Sequence, residues 1–229
     1  TVCDGSFGAA RSPLGERDGG GSVMRVAAAD RAAEAAAGIV PGLPLTDARA
    51  RLPDLRAVPA EGGADMEALA ALGDWCGRWT PWVALDAAGA DAVLGAGHGL
   101  WLDITGCAHL FGGEAALLND IARRLAHFGF AARAALADTP GAAWAIARHG
   151  AMCHGGARHV HVVAPGRART ALAKLSLKGL RLAPVEAEGL ERLGFRAIGD
   201  LYGIPRGALA RRFGEGVMHR LDQALGRED

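Results

Sequence analysis

Residues 99–113, GLWLDITGCAHLFGG, are the stretch that decides the fold of this chain. Leu100, Leu102 and Ile104 alternate with less apolar neighbours, which is the period of a β-strand. The paired glycines at the end predict a turn before a helix. One carboxylate, Asp103, falls within this apolar strand. It is either a hydrogen-bonded anchor at a turn, because buried acids persist when they are paired, or a metal-binding acid on a catalytic strand.

Composition narrows the class of protein without assigning a function. Half of the 229 residues are apolar, and 25 basic residues balance 25 acidic ones, so net charge gives no argument for nucleic acid. The four cysteines lie far apart without a CxxC pair, which argues against a structural zinc site and predicts a reducing, cytoplasmic setting. No run of about 18 apolar residues is present, so we expect no membrane span.

Three helices are predicted from periodicity. Residues 65–79 carry an apolar stripe, and residues 114–128 carry one that ends at Phe128. Thr139 and Pro140 suit the N-cap and first turn of a third helix, which is predicted to bury Trp144 and Ile146.

The chain resembles the Y-family translesion DNA polymerases, and more closely the ImuB-like, catalytically degenerate relatives within that family. LWLDITG is similar to the strand that follows their Ser-Ile-Asp-Glu signature. The order and spacing of four stretches carry the closer match: AAGIVPGLPLTDARARLPDL, DWCGRWTPWVALD, GLWLDITGCAHLFGG and ADTPGAAWAIARHG.

This resemblance implies an α/β (α+β) fold, with a ferredoxin-like palm, a small fingers module and a helical, helix-hairpin-helix-like thumb. We expect residues 1–22 to be a remnant of the N-terminal palm and a loop, 23–75 the fingers, 76–164 the palm and 165–229 the thumb. The first palm strand, the little-finger region and the clamp-binding segment of such relatives are expected to lie outside this sequence.

The resemblance also implies that the catalytic groups are lost. It places His98 and Gly99 where active polymerases carry an Asp-Glu pair, although Mg²⁺ requires hard oxygen ligands. It places Ala32 and Ala35 where a Tyr and an Arg engage the incoming nucleotide. The turn at residues 138–141, DTPG, holds no cation where active relatives have an Asn-Lys pair. We therefore expect no catalytic residue, no nucleotide-binding residue, no metal and no cofactor.

Two other sites remain open. Asp86 and Asp103, with an acid from the missing strand, could hold Mg²⁺ in a working error-prone polymerase, since phosphoryl transfer needs two or three carboxylates. A zinc site from Cys153, His154, His159 and His161 is conceivable, but its spacing matches no common zinc module.

The function implied is that of a non-catalytic adaptor in damage-induced mutagenesis and translesion synthesis. By resemblance its partners are the sliding clamp, a RecA-like accessory protein and an error-prone replicative-type polymerase. Primer-template DNA would bind weakly and independently of sequence, and a pure DNA-binding module acting through the thumb is a further alternative. The candidate phosphate-binding residues are Lys174, Lys178, Arg181, Arg206, Arg211 and Arg212.

Overall fold

The structure is a computed structural model that describes the backbone of most of the chain. The described residues are 2–6, 11–12, 24, 26, 37–40, 42–59, 61–86, 99–150 and 159–228. The predictions made for Ala32, Ala35, His98, Cys153 and His154 lie outside these residues.

Within the described residues, seven strands form two sheets. They are β1 (Val2–Ser6), β2 (Arg11–Ser12), β3 (Val58–Pro59), β4 (Val83–Asp86), β5 (Gly99–Leu102), β6 (Ala131–Leu136) and β7 (His159–Val162). Five of them form one sheet in the order β4-β5-β1-β6-β7, while β2 pairs with β3. Strands β6 and β7 run parallel, with Arg133 opposite His159 and Leu136 opposite Val162.

Eight α-helices accompany the sheets in the described part of the chain. They are α1 (Leu45–Arg51), α2 (Gly62–Cys76), α3 (Glu114–His127), α4 (Pro140–His149), α5 (Ala168–Leu172), α6 (Pro184–Arg192), α7 (Arg206–Phe213) and α8 (Glu215–Leu225). Short 3₁₀ turns cover Ala108–Phe111, Leu177–Leu180 and Ile198–Leu201. This mixture of helices around a small sheet is the α/β class expected from the sequence.

Local sequence explains where α4 begins. The Thr139 hydroxyl accepts a hydrogen bond from the Ala142 N–H at 3.1 Å, and Pro140 occupies the first turn, where a missing N–H costs nothing. Ile146 is buried as predicted, but Trp144 is only half-buried, because its ring lies beside charged side chains instead of in the core.

Three further predictions need correction. Helix α2 ends at Cys76, so Trp79 is buried beyond its end. Phe128 follows α3 and is 57% exposed, whereas Leu117, Leu118 and Ile121 of the same apolar stripe are fully buried. Strand β5 ends at Leu102, so Asp103 lies after the strand instead of within it.

The contacts of the chain cluster into two compact units. One comprises Thr1–Asp4, Leu102–Arg124 and Ala132–Asp229, and the other comprises Gly5–Trp101 and Leu125–Ala131. In the second unit, Val26, Ile39 and Ala48 form a small buried core. Leu85 and Leu100 pack against Gly73 of α2, since a Cβ built on this glycine would lie 3.3 and 3.5 Å from their side chains. No described helix has the length and apolar character needed to span a membrane.

Candidate nucleic-acid interface

The two carboxylates considered for catalysis have ordinary surroundings. Asp103 is exposed, and one of its carboxylate oxygens accepts the Thr105 N–H at 2.9 Å. Hydrogen bonds from Thr105 hold the pKa of Asp103 below its usual value. This geometry is that of a turn anchor. Asp86 is half-buried at the end of β4, and Gly99 is buried at the start of β5.

The described residues offer few side chains that could bind a metal ion together. No group of three or more His, Cys, Asp or Glu side chains there could hold a metal ion. His161 is half-buried on β7, and β7 also contains His159.

The turn before α4 is packed against the end of α8. The Thr139 hydroxyl donates a hydrogen bond to the Ala224 carbonyl at 2.9 Å. A Cβ placed on Gly141 would lie 3.0 Å from the Ala224 Cα, which is closer than real Cβ contacts normally come. Gly141 therefore has no space for a methyl group, and still less for a long cationic side chain, unless α8 moves.

A cleft of about 820 Å³ opens beside this turn and is rich in arginine. Its guanidinium groups come from Arg169, Arg181, Arg220 and Arg227, while its acids are Asp138 and Glu228. Both acids have partners. Asp138 accepts the Gly166 N–H at 2.7 Å, and Glu228 lies 2.9 Å from the Nδ1 of His219.

A cluster of cations lies around Trp144 and His149, and we call it the Trp144 patch. Its members are Arg133, Trp144, Arg148, His149, Lys178 and Arg181. The guanidinium carbons of Arg148 and Arg181 lie 4.9 and 5.3 Å from the Trp144 ring centroid, within the range of cation–π attraction. The His149 ring lies 5.8 Å from the same ring.

The sequence places these groups together through Gly179. A Cβ on Gly179 would meet Ala145 of α4 at 3.1 Å and Ile198 at 3.3 Å, so glycine lets the turn Leu177–Leu180 lie this close to α4 without displacing either neighbour. Lys178 and Arg181 flank Gly179 and are exposed. The close approach therefore brings two predicted phosphate-binding residues beside Arg148 of the helix.

The electrostatic field of the patch is positive. Burial lowers the pKa of His149, and the charges of Arg133, Arg148 and Lys178 lower it further. Arg133 belongs to β6 and donates a hydrogen bond to the Gly150 carbonyl at 2.8 Å. Cations from three elements thus surround one half-buried imidazole.

The other predicted phosphate-binding residues lie elsewhere in the same unit. Lys174, Arg211 and Arg212 are exposed, and the Arg211 Nε donates to the Gly207 carbonyl at 3.0 Å. Arg206 has a structural partner that the sequence did not reveal. Its guanidinium binds both carboxylate oxygens of buried Asp222, one of them at 2.9 Å, and this pairing raises the pKa of Arg206.

Sequence reasoning missed Trp144, Arg148 and Arg133 as members of this patch. The i, i+4 spacing of Trp144 and Arg148 was a usable signal, because residues four apart share one face of a helix. The contribution of Arg133 depends on the pairing of β6 with the rest of the fold, and no local pattern marks it.

Known structures identify the fold. DinB from Sulfolobus solfataricus superposes on the whole chain with a TM-score of 0.73 at 17% identity, and the match covers 67% of that protein. The insertion ternary complex of Dbh DNA polymerase superposes with a TM-score of 0.70 at 15% identity and 68% coverage of that protein. The chain has the Y-family polymerase fold.

Sequence comparison gives a nearer relative. Protein ImuB of Caulobacter vibrioides (strain NA1000 / CB15N) is 46% identical over 189 residues, which are 82% of this chain and 38% of that protein. The chain is an ImuB homologue. It spans less than two fifths of the length of this relative, and no protein-family model matches it.

Proposed function

We propose that this chain is the polymerase-like part of a non-catalytic ImuB-type adaptor in damage-induced mutagenesis. It binds primer-template DNA weakly and without sequence preference. The sliding clamp, a RecA-like accessory protein and an error-prone replicative-type polymerase are its proposed protein partners. The proposal rests on the resemblance to degenerate Y-family relatives and on the local structure around α4.

The observation that carries the proposal is the packing of the turn at residues 138–141. In active relatives this turn supplies a lysine that positions phosphates. Here it holds no cation, the Thr139 hydroxyl binds the Ala224 carbonyl, and Gly141 lies against the Ala224 backbone. Phosphoryl transfer depends on positioned positive charge around the phosphates. A turn that is closed in this way is suited to holding α8 in place and not to binding a triphosphate.

The setting of Asp103 favours the same conclusion. Its carboxylate anchors the turn after β5 through the Thr105 N–H. The alternative of a working polymerase would instead require Asp86 and Asp103 to bind metal ions together.

The Trp144 patch supports the DNA-binding part of the proposal. Lys178 and Arg181 are exposed in and just after the turn Leu177–Leu180, and Arg148 and Arg133 add two charges from neighbouring elements. Such a surface binds phosphates through charge alone, so affinity falls steeply as salt rises. We further propose that the segments 1–22, 23–75, 76–164 and 165–229 serve as palm remnant, fingers, palm and thumb.

Damage-induced mutation frequency in a host lacking its own copy of the gene tests the adaptor role. Asp86→Asn with Asp103→Asn should leave the frequency within about twofold of wild type, because no carboxylate chemistry is used. Lys178→Glu with Arg181→Glu should lower it strongly. Arg49→Glu, an exposed reversal on α1, is the control that should change nothing. Loss of mutagenesis in the carboxylate variant, with protein levels unchanged, would instead favour an active polymerase.

A further inference from the structure

We propose that Trp144 is a stacking platform for an unpaired base, so that the Trp144 patch binds single-stranded nucleic acid. This inference deepens the proposed function and rests on its DNA-binding part. The duplex of a primer-template offers phosphates to the patch, whereas an unpaired template strand also offers the exposed face of a base.

The chemistry of the patch matches both components of a single strand. Proteins that hold single strands combine cations that follow the backbone with aromatic side chains on which bases stack. Arg148 and Arg181 supply charge beside the Trp144 ring, and Lys178 adds charge near the neighbouring His149. Guanidinium planes themselves also stack on bases.

The position of the ring favours a ligand over a core role. Trp144 is half-buried, although Ala143, Ala145 and Ile146 beside it on α4 are buried. The buried positions are mostly small, so α4 packs through alanines and leaves its one large aromatic ring at the boundary with solvent.

The backbone at Arg181 is an independent observation. Arg181 has φ +52°, and it is the only residue other than glycine with a positive φ in the described part of the chain. A left-handed conformation costs a side-chain-bearing residue roughly 1 kcal/mol or more compared with glycine. This residue carries the guanidinium that lies 5.3 Å from the Trp144 ring centroid, and the phosphates flanking a stacked base would need such a counter-charge.

The rival explanation is that Trp144 only holds Arg148 and Arg181 in position for phosphates. The two explanations differ in what they require of the ligand. A stacking platform needs a base, whereas positioned arginines need only the backbone. A strand with abasic tetrahydrofuran units in place of every nucleotide keeps the charge and length of oligothymidylate and removes its bases.

The experiment is fluorescence anisotropy with labelled oligothymidylate, the matched abasic strand and a primer-template duplex at low salt. Wild type should bind oligothymidylate more tightly than the abasic strand. Trp144→Leu, which keeps an apolar side chain, should weaken oligothymidylate binding roughly tenfold and leave abasic binding unchanged. Trp144→Phe should retain most of the affinity. Trp82→Ala removes a tryptophan that is 70% exposed in the other compact unit, and it should have no effect.

The other possible results contradict either the stacking platform or the DNA-binding part of the proposed function. Equal losses on both strands with Trp144→Leu, or equal wild-type affinity for both, would overturn the stacking platform while duplex binding still supports the proposed function. Wild-type protein that binds neither strand nor duplex would overturn this inference together with the DNA-binding part of the proposed function. Denaturant unfolding of each variant establishes that a loss of affinity is not a loss of fold.

Discussion

Arg181 combines an unfavourable backbone conformation with a side chain placed in a cationic patch. Arg181→Gly should therefore have opposite effects on stability and on binding. Relief of the left-handed conformation should keep the free energy of unfolding unchanged or raise it by about 1 kcal/mol. Loss of the charge should weaken DNA binding and reduce the slope of log affinity against log salt by about one.

Urea unfolding and salt-dependent anisotropy measure these two quantities. Arg212→Gly makes the same change within α7, where glycine is less favourable, so its stability should fall. If Arg181→Gly destabilises the protein as much as this control does, the backbone at Arg181 is not strained.

His149 makes stability depend on pH. Its pKa in the folded protein is lower than the ordinary 6.5, through burial and the charges of Arg133, Arg148 and Lys178. The unfolded chain therefore binds more protons than the folded protein in the window between the lowered pKa and 6.5. The stability contributed by neutral His149 is present above 6.5 and is lost as the pH falls toward the folded pKa.

Thermal unfolding of wild type and His149→Gln at pH 7.5 and pH 5.5 measures this contribution. The fall in Tm between the two pH values should be smaller in the variant. DNA phosphates over the patch should raise the pKa of His149, so bound DNA should also reduce the pH dependence of the wild type. An identical fall in Tm for both proteins would show that His149 does not contribute to the pH dependence of stability.

The contact between α4 and α8 depends on Thr139 and Gly141. The sequence predicted only part of what these residues do. Thr139 and Pro140 predicted the start of α4 correctly, because capping is a local property. The second role of Thr139, as a donor to the Ala224 carbonyl, joins residues 85 positions apart. The exposure of Trp144 and Phe128 was likewise mispredicted, because periodicity gives the face of a helix but not what covers it.

Gly141→Ala tests this helix contact. The new methyl group would press on the Ala224 backbone, and such overpacking costs about 1–3 kcal/mol. Gly207→Ala in α7 is the matched control, since nothing lies within 4 Å of its ideal Cβ and alanine favours a helix by up to about 1 kcal/mol. Urea unfolding should give a lower free energy of unfolding than wild type for Gly141→Ala and a higher one for Gly207→Ala. Equal stabilities would show that α8 does not lie against Gly141.

The pairing of α7 with α8 depends on a buried acid. Asp222 is 2% exposed and binds the guanidinium of Arg206, with Arg227 at 3.8 Å. Hydrogen bonds to charged groups contribute about 1.5–3 kcal/mol, so Asp222→Ala should lower the free energy of unfolding by about 2 kcal/mol. Glu188→Ala, which removes an exposed acid paired with Arg192, should cost less than 1 kcal/mol. Similar losses in chemical denaturation would contradict this difference in burial.

For the molecule as a whole, the sequence predicted the fold correctly, and the structure shows what surrounds the predicted phosphate-binding residues. The order and spacing of four stretches resemble those of Y-family polymerases, and this resemblance predicted the order of strands and helices. Of the predicted phosphate-binding residues, Lys178 and Arg181 lie in the Trp144 patch, whereas Arg206 binds Asp222. Sequence reasoning cannot distinguish these cases, because the partner of an arginine or lysine is set by the fold and not by the neighbouring residues in the sequence.

By the proposal made above, the chain keeps the shape of a polymerase and binds DNA without performing its chemistry. Primer extension by the full-length protein, with Mg²⁺ or Mn²⁺ and all four nucleotides beside an active Y-family polymerase, tests this proposal. We expect no incorporation from a sample that shifts the same primer-template at low salt. Incorporation that disappears with Asp103→Asn would contradict it and make that carboxylate a metal ligand.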